Sequence, residues 1–114
     1  MFEAIILLEV STIPKDENLE EGEIRLQEIA KYNFDPGLQR GNHVMVTDLK
    51  LGTRQDEPFS FEALVKNRTL EIAPGTQGQK DIFRILIQIE AVEKEYIARI
   101  AEIMKRMNPG KFKD

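Results

Sequence analysis

The chain has 114 residues, of which 41% are hydrophobic and 32% charged, so a single globular domain spanning residues 1–114 accounts for its length. Its net charge of −4 argues against nucleic-acid binding, because such domains are basic on at least one face. Cysteine is absent, which excludes disulfides, thiolate metal sites and cysteine nucleophiles.

The first predicted element is a strand from Phe2 to Val10. The segment is rich in β-forming residues, and every second residue from Phe2 onward is apolar. Its apolar run, Ala4 to Leu8, is too short to span a bilayer and lacks the basic flank of a signal peptide. We therefore expect a cytoplasmic protein without membrane insertion.

The acidic segment from Lys15 to Glu23 has only a superficial likeness to a calcium loop. An EF-hand loop needs glycine at its sixth position and glutamate at its twelfth. Counted from Asp16, those positions hold Glu21 and Gln27. The segment is therefore interpreted as a solvated loop, and no metal site is predicted.

The next segment, Glu23 to Tyr32, fits either a helix or a strand. Leu26, Ile29 and Ala30 would line one face of a helix, whereas Ile24 and Leu26 would share a strand face. Gly22 weakens a helix that begins early. A strand is favoured by the family resemblance described below, and a turn is predicted at Phe34-Asp35-Pro36-Gly37.

The middle of the chain predicts three strands. The first runs from His43 to Leu51 and changes its alternation phase, which indicates a bulge near Thr47-Asp48. The second, Phe59 to Val65, has strict alternation, and a short third strand follows from Thr69 to Ala73. A turn at Pro74-Gly75-Thr76-Gln77-Gly78 then closes a hairpin.

The segment from Phe83 to Met107 changes its hydrophobic period partway along. Apolar residues alternate up to Ala91 and then recur at helical spacing, which predicts a strand joined to a helix over residues 92–107. A short polar tail, 108–114, follows. The predicted fold is α+β or mainly β: a small antiparallel barrel or curled sheet of about five to six strands, with a C-terminal amphipathic helix.

Residues suited to catalysis are few. The only histidine is His43, and Ser11 and Ser60 are the only serines, with no pattern that brings them together. Gly75 and Gly78 lack the lysine and following helix of a phosphate loop. We expect neither enzymatic activity nor a cofactor.

Residues 41–107 resemble the PilZ domain, a small antiparallel β-barrel followed by a C-terminal helix. The resemblance is carried by Gly41-Asn-His-Val-Met-Val, the strand Phe59 to Val65, the hairpin at Pro74 to Gly78, and Arg84-Ile-Leu-Ile-Gln-Ile leading into the helix. It implies a small regulatory module, and cyclic di-GMP would be the ligand of an intact family member.

The cyclic di-GMP motifs of that family are missing from this sequence. No two arginines are four apart, although paired guanidinium groups are needed to bind phosphate and guanine edges. Asp48 to Thr53 resembles the second motif, but Lys50 replaces its serine and Gly52 falls one position early. No ligand residue is therefore carried over from the family.

Three functions are considered. The first is a non-catalytic interaction module that binds a protein partner, or a second copy, through the apolar face of its helix. The second is a receptor for a small molecule such as a cyclic dinucleotide, and the third is a structural or accessory subunit of a larger assembly, including a viral one. The alternative role of the helix face is to cover the domain's own core. The predicted interface residues are Tyr96, Ile97, Ile100, Ile103, Met104 and Met107.

Overall fold

The computed structural model describes residues 2–11, 24–51 and 57–107. In these ranges the chain forms five strands and one helix. They are β1 (Phe2–Ser11), β2 (Ile24–Tyr32), β3 (His43–Leu49), β4 (Phe59–Ala73), β5 (Ile82–Ala91) and α1 (Lys94–Met107).

The strands form a single sheet in the order β2-β1-β5-β4-β3, curled into a half-barrel. The predicted fold class, a curled sheet with a C-terminal helix, is confirmed. One pairing differs from the expected antiparallel arrangement, because β1 and β5 run parallel. The short turns that suggest antiparallel pairing act only between consecutive strands, and β1 and β5 are far apart in the sequence.

Two further local predictions are confirmed. The segment from Glu23 to Tyr32, which fits either a helix or a strand by its sequence, contains the strand β2, and β2 pairs with β1. The predicted bulge in β3 lies between Val46 and Leu49, where Asp48 has a positive φ of 52°. The Asp48 amide donates a hydrogen bond to the Ser60 hydroxyl oxygen at 3.0 Å, which fixes the bulge against β4.

The prediction of two separate strands between Phe59 and Ala73 is wrong, because these residues form the single strand β4. A bulge between Val65 and Asn67 interrupts the alternation without ending the pairing with β5. Beyond the bulge, Leu70 lies opposite the buried Ile85. Directly opposed residues share a face. Every second residue from Arg68 therefore faces the inside of the half-barrel.

The hairpin between β4 and β5 depends on Gly75. A Cβ atom at this position would lie 2.0 Å from the carbonyl oxygen of Gln79, so only glycine lets the loop fold back this closely. The Gly75 amide donates to the Asp81 carboxylate at 2.8 Å. The predicted turn is therefore confirmed, and it connects β4 to β5, the two strands with the longest pairing in the sheet.

The core lies on the inner face of the curled sheet. Alternate residues of β1, β4 and β5 are buried there and pack together with the buried side of α1. The strand ends at Ala91 and the helix begins at Lys94, so the predicted junction is confirmed and a single helix through this region is excluded. The Glu93 carbonyl accepts the first helical hydrogen bond, from the Ile97 amide at 3.1 Å.

Candidate functional site

The loop of residues 33–42, called the crossing loop here, connects the two edges of the sheet. It begins after β2 at one edge and ends before β3 at the other. It is fastened to β4 at the bulge, since the Gly41 amide donates to the Val65 carbonyl and the Val65 amide donates to the Asn42 carbonyl, both at 2.9 Å. The loop therefore meets β4 about halfway along that strand.

A two-pronged ion pair makes a further attachment of the crossing loop. Arg68 donates to both carboxylate oxygens of Asp35, at 2.9 and 2.5 Å, and to the Leu38 carbonyl at 3.2 Å. The hydrogen bonds from Arg68 and from the Gly37 amide lower the pKa of Asp35 to about 2. Three hydrogen bonds therefore hold Arg68, which is the one cation on the inner side of β4 in the described chain.

Beyond this ion pair, the open end of the half-barrel exposes large apolar side chains. Ile72 lies opposite Phe83, and Phe83 lies opposite the half-buried Phe2 on the next strand. Tyr32 and Phe34 continue this surface, with ring centroids 5.3 Å apart. Among the described residues, most of the exposed large hydrophobic side chains gather here. We call this surface the end patch: Tyr32, Phe34, Leu70, Ile72 and Phe83.

The outer face beside the end patch carries paired charges of both signs. Glu3 contacts Lys31 and Arg84, each at 3.1 Å, and Arg84 also contacts Glu71 at 3.1 Å. The hydrogen bonds from Lys31 and then Arg84 hold the pKa of Glu3 below its ordinary value. Charges here neutralise one another, so the end patch has a mixed polar border without an excess of either sign.

A groove of about 480 Å³ lies between the two edges of the sheet, beneath the crossing loop. Its walls are mainly aliphatic, and polar groups lie at its β3 end, around Asp48 and Lys50. The apolar lining residues are Ile6, Ile29, Ala30, Tyr32, Pro36, Leu38, Val44, Met45, Val46, Leu49 and Ile89.

The predicted interface residues of α1 are mostly turned inward. Ile100, Ile103 and Met104 are buried in the core, and Tyr96 and Ile97 pack against it. Met107 alone among the six is exposed. The helix face covers the domain's own core, which is the alternative role that the sequence left open. An interface formed by the buried residues would require the helix to leave the sheet.

The other sequence candidates do not form a common site. His43 contacts the Glu62 carboxylate at 2.6 Å, whereas Ser60 accepts the Asp48 amide. Within the described ranges, no group of three metal-ligating side chains is found, and no helix is long and apolar enough to cross a membrane. The acidic segment from Lys15 to Glu23, Gly52 and the polar tail 108–114 lie outside the described residues.

Sequence reasoning missed the end patch for a specific reason. The sequence predicts a strand at Thr69 to Ala73, but the bulge between Val65 and Asn67 reverses which of its residues face inward. The apolar alternation continues through Leu70 and Ile72 and, on β5, through Phe83, and it gives no sign that a covering element is missing at this end. An exposed surface of this kind is found only when the covering helix and loop are placed.

A comparison of the chain with protein-family models, curated proteins and solved structures found no match. The fold and its two surfaces, the end patch and the groove, are therefore the features that bear on function.

Proposed function

We propose that this protein is a non-catalytic interaction module that binds a protein partner through the end patch. The carrying observation is the concentration of exposed apolar side chains at the open end, with Phe34 56%, Leu70 59% and Ile72 53% exposed. If the full surface of each of the five side chains is about 200 Å², their exposed fractions add up to roughly 500 Å² of exposed apolar surface. Apolar patches of this size on a monomer are often functional.

The composition of the end patch favours a protein over other partners. Aromatic and aliphatic side chains with a mixed polar border are typical of protein interfaces. A surface that binds a membrane or a nucleic acid would carry an excess of lysine and arginine. At this border, however, Lys31 and Arg84 are paired with Glu3. The net charge of −4 supports the same choice.

The resemblance to PilZ and the cytoplasmic location remain part of this proposal. The curled sheet and C-terminal helix agree with the resemblance, and the parallel β1–β5 pairing departs from an antiparallel barrel. The absence of cysteine supports a reducing compartment. A module of this kind would act as a regulator through its partner. A subunit of a larger assembly would use the same surface.

Site-specific photo-crosslinking tests the proposal. A photoreactive phenylalanine analogue replaces Phe34 or Phe83 in cells that express the protein natively, and mass spectrometry identifies the adducts. We expect adducts with a defined protein, which includes a second copy of this chain. The matched control is Met45, which is 63% exposed on the outer face of β3 and should give no such adduct. Absence of protein adducts at both phenylalanine positions would refute the proposal.

A small-molecule receptor is a second candidate, and the groove is the observation that favours it. The volume of about 480 Å³ is within the usual range for ligand sites. Its aliphatic residues, together with the polar groups at its β3 end, favour a small amphipathic molecule. A cyclic dinucleotide is less well suited, because Lys50 is the only cation among the described lining residues and no arginine is present there.

Thermal unfolding with added ligand distinguishes these possibilities. We expect a medium-chain fatty acid to raise the melting temperature and cyclic di-GMP to leave it unchanged. The substitution Val46→Trp, which would fill the groove, should remove the effect of the fatty acid. If neither compound changes the melting temperature, the receptor candidate fails.

A further inference from the structure

Half of β4 has an unpaired edge. β3 pairs with β4 only between Phe59 and Leu64, and the crossing loop bonds to Val65. Past the bulge, residues 67–73 pair with β5 on one side, and within the described chain no strand lies on the other side. The backbone N–H and C=O groups along such an edge are a template for another strand.

The features that usually prevent strand pairing lie only toward the two ends of this edge, at the bulge with Arg68 and at Pro74. Natural edge strands are protected by lysine, proline or charges that point inward. The single inward charge, Arg68, is already bound to Asp35, and proline appears only at Pro74, after the strand. Between them, the exposed Leu70 and Ile72 are separated only by Glu71.

We propose that a second copy of this chain pairs antiparallel with residues 67–73, about a two-fold axis that passes midway between the two copies of Leu70. The proposal rests on the proposed function, because Leu70, Ile72 and Phe83 belong to the end patch. A symmetric pair uses the same surface on both copies, so the surface must be compatible with itself.

The register follows from the limits of the edge. The bulge closes one end of the segment 67–73 and Pro74 closes the other, and Leu70 is its midpoint. In the register that uses the whole segment, Leu70 lies opposite itself, Thr69 lies opposite Glu71, and Arg68 lies opposite Ile72. No like charges are directly opposed, and that opposition is what would destabilise a symmetric pair.

The area that such a pairing buries fits a concentration-dependent dimer. Most side chains along the segment are exposed, and Phe83 lies behind Ile72 on the adjacent strand. Together these residues from two copies would bury on the order of 1,000 Å², which is near the lower limit for a specific interface. The second copy brings its own Leu70 and Ile72, so each copy covers the apolar side chains of the other.

Sedimentation equilibrium across micromolar to millimolar concentrations provides the first test. We expect a reversible dimer, and Leu70→Lys should weaken it by at least about tenfold, because two cations would meet on the axis. Leu70 is exposed in the monomer, so this variant should keep the wild-type circular dichroism and melting temperature. Met45→Lys places the same charge on the exposed part of β3 and should leave the dimer intact.

Cysteine crosslinking tests the register, and it benefits from a chain without native cysteine. Directly opposed residues of an antiparallel pair are within disulfide range. Leu70→Cys should therefore form a dimer disulfide readily. Thr69→Cys and Glu71→Cys should crosslink when mixed and only slowly when each is alone. Equal crosslinking by Met45→Cys would show random collision and overturn the register.

The outcomes separate this inference from the proposed function. A strict monomer without a Leu70→Cys crosslink overturns the dimer. If photo-crosslinking at Phe83 still captures a different protein, the interaction module stands and only its partner changes. If the chain is monomeric and neither Phe34 nor Phe83 captures a protein, both proposals fail.

Discussion

The two ends of the inner face have the same kind of sequence and very different surroundings. Toward α1, the alternating residues of β1 and β5 are fully buried, as Leu8 and Ile87 show. Toward the β4–β5 hairpin, the same alternation continues into Ile72 and Phe83, which are exposed. The helix and the crossing loop cover the first region, and in the described chain nothing covers the second.

Apolar alternation therefore identifies a face of a sheet but not what covers that face. The apolar residues of a strand recur with a period of two whether its inner side contacts a helix, a second copy or water. The two regions meet at the Arg68–Asp35 pair, where the crossing loop is attached to β4. Apolar side chains that lie beyond the last covering element are therefore the ones available to a partner.

The largest expected difference in stability is between two isoleucine-to-alanine substitutions, one in each region. Ile87→Ala removes a side chain that is 0% exposed and should lower the free energy of unfolding by about 2–5 kcal/mol. Ile72→Ala removes a half-exposed side chain and should lower it by at most about 1 kcal/mol. Urea unfolding at low protein concentration measures both. Similar losses at the two positions would mean that the open end is covered in the isolated monomer.

The hairpin that bounds the open end should be sensitive at Gly75. Gly75→Ala places a Cβ atom against the Gln79 carbonyl oxygen and should cost about 1–3 kcal/mol, because the backbone must shift. Thr76→Ala in the same exposed loop is the control and should change stability by about 0.5 kcal/mol or less. If Gly75→Ala unfolds at the wild-type urea concentration, the close approach in this loop is incorrect.

Aromatic contacts should stabilise the covered region more than the open end. The Tyr96 ring lies 6.0 Å from that of Phe61 and 6.3 Å from that of Phe59, where it fixes α1 to the sheet. Tyr96→Leu should cost about 1 kcal/mol. Tyr32→Leu affects a pair that is largely exposed and should cost about half as much or less. Equal effects in urea unfolding would contradict the assignment of Tyr96 as a docking residue.

Much of the fold could be predicted because it depends on local signals. The change of period near Ala91, the phase change at Thr47-Asp48 and the proline–glycine hairpin each act within a few residues, and all three predictions are confirmed. The preference for a strand over a helix at Ile24–Tyr32 is confirmed as well.

The remaining features depend on contacts between distant residues. The parallel pairing of β1 with β5 involves no turn that a local pattern could reveal. The Asp35–Arg68 pair joins residues that only the crossing loop brings together. The amphipathic stripe of α1 predicts an apolar contact, but a core and a partner require the same stripe. The candidate site is therefore defined by the apolar residues that the helix and the crossing loop leave uncovered.

The stability that the Asp35–Arg68 pair contributes at the boundary between the two regions should depend on pH. The Arg68 hydrogen bonds hold the pKa of Asp35 at about 2, below its ordinary value of 3.8, so folding favours the ionised carboxylate. The resulting stabilisation is complete above about pH 4 and is lost as the pH falls through about 2.

The variant Asp35→Asn isolates this contribution, because it cannot ionise but keeps the size of the side chain. We expect its stability to fall less steeply than that of the wild-type protein between about pH 4 and pH 2, as measured by urea unfolding at each pH. Hydrogen exchange at neutral pH should show faster exchange at Gly41 and Val65 in the variant, since their amides fasten the crossing loop to β4. Identical pH profiles and unchanged exchange would show that the Asp35–Arg68 pair does not hold the loop. The boundary between the covered region and the end patch would then depend on the backbone bonds alone.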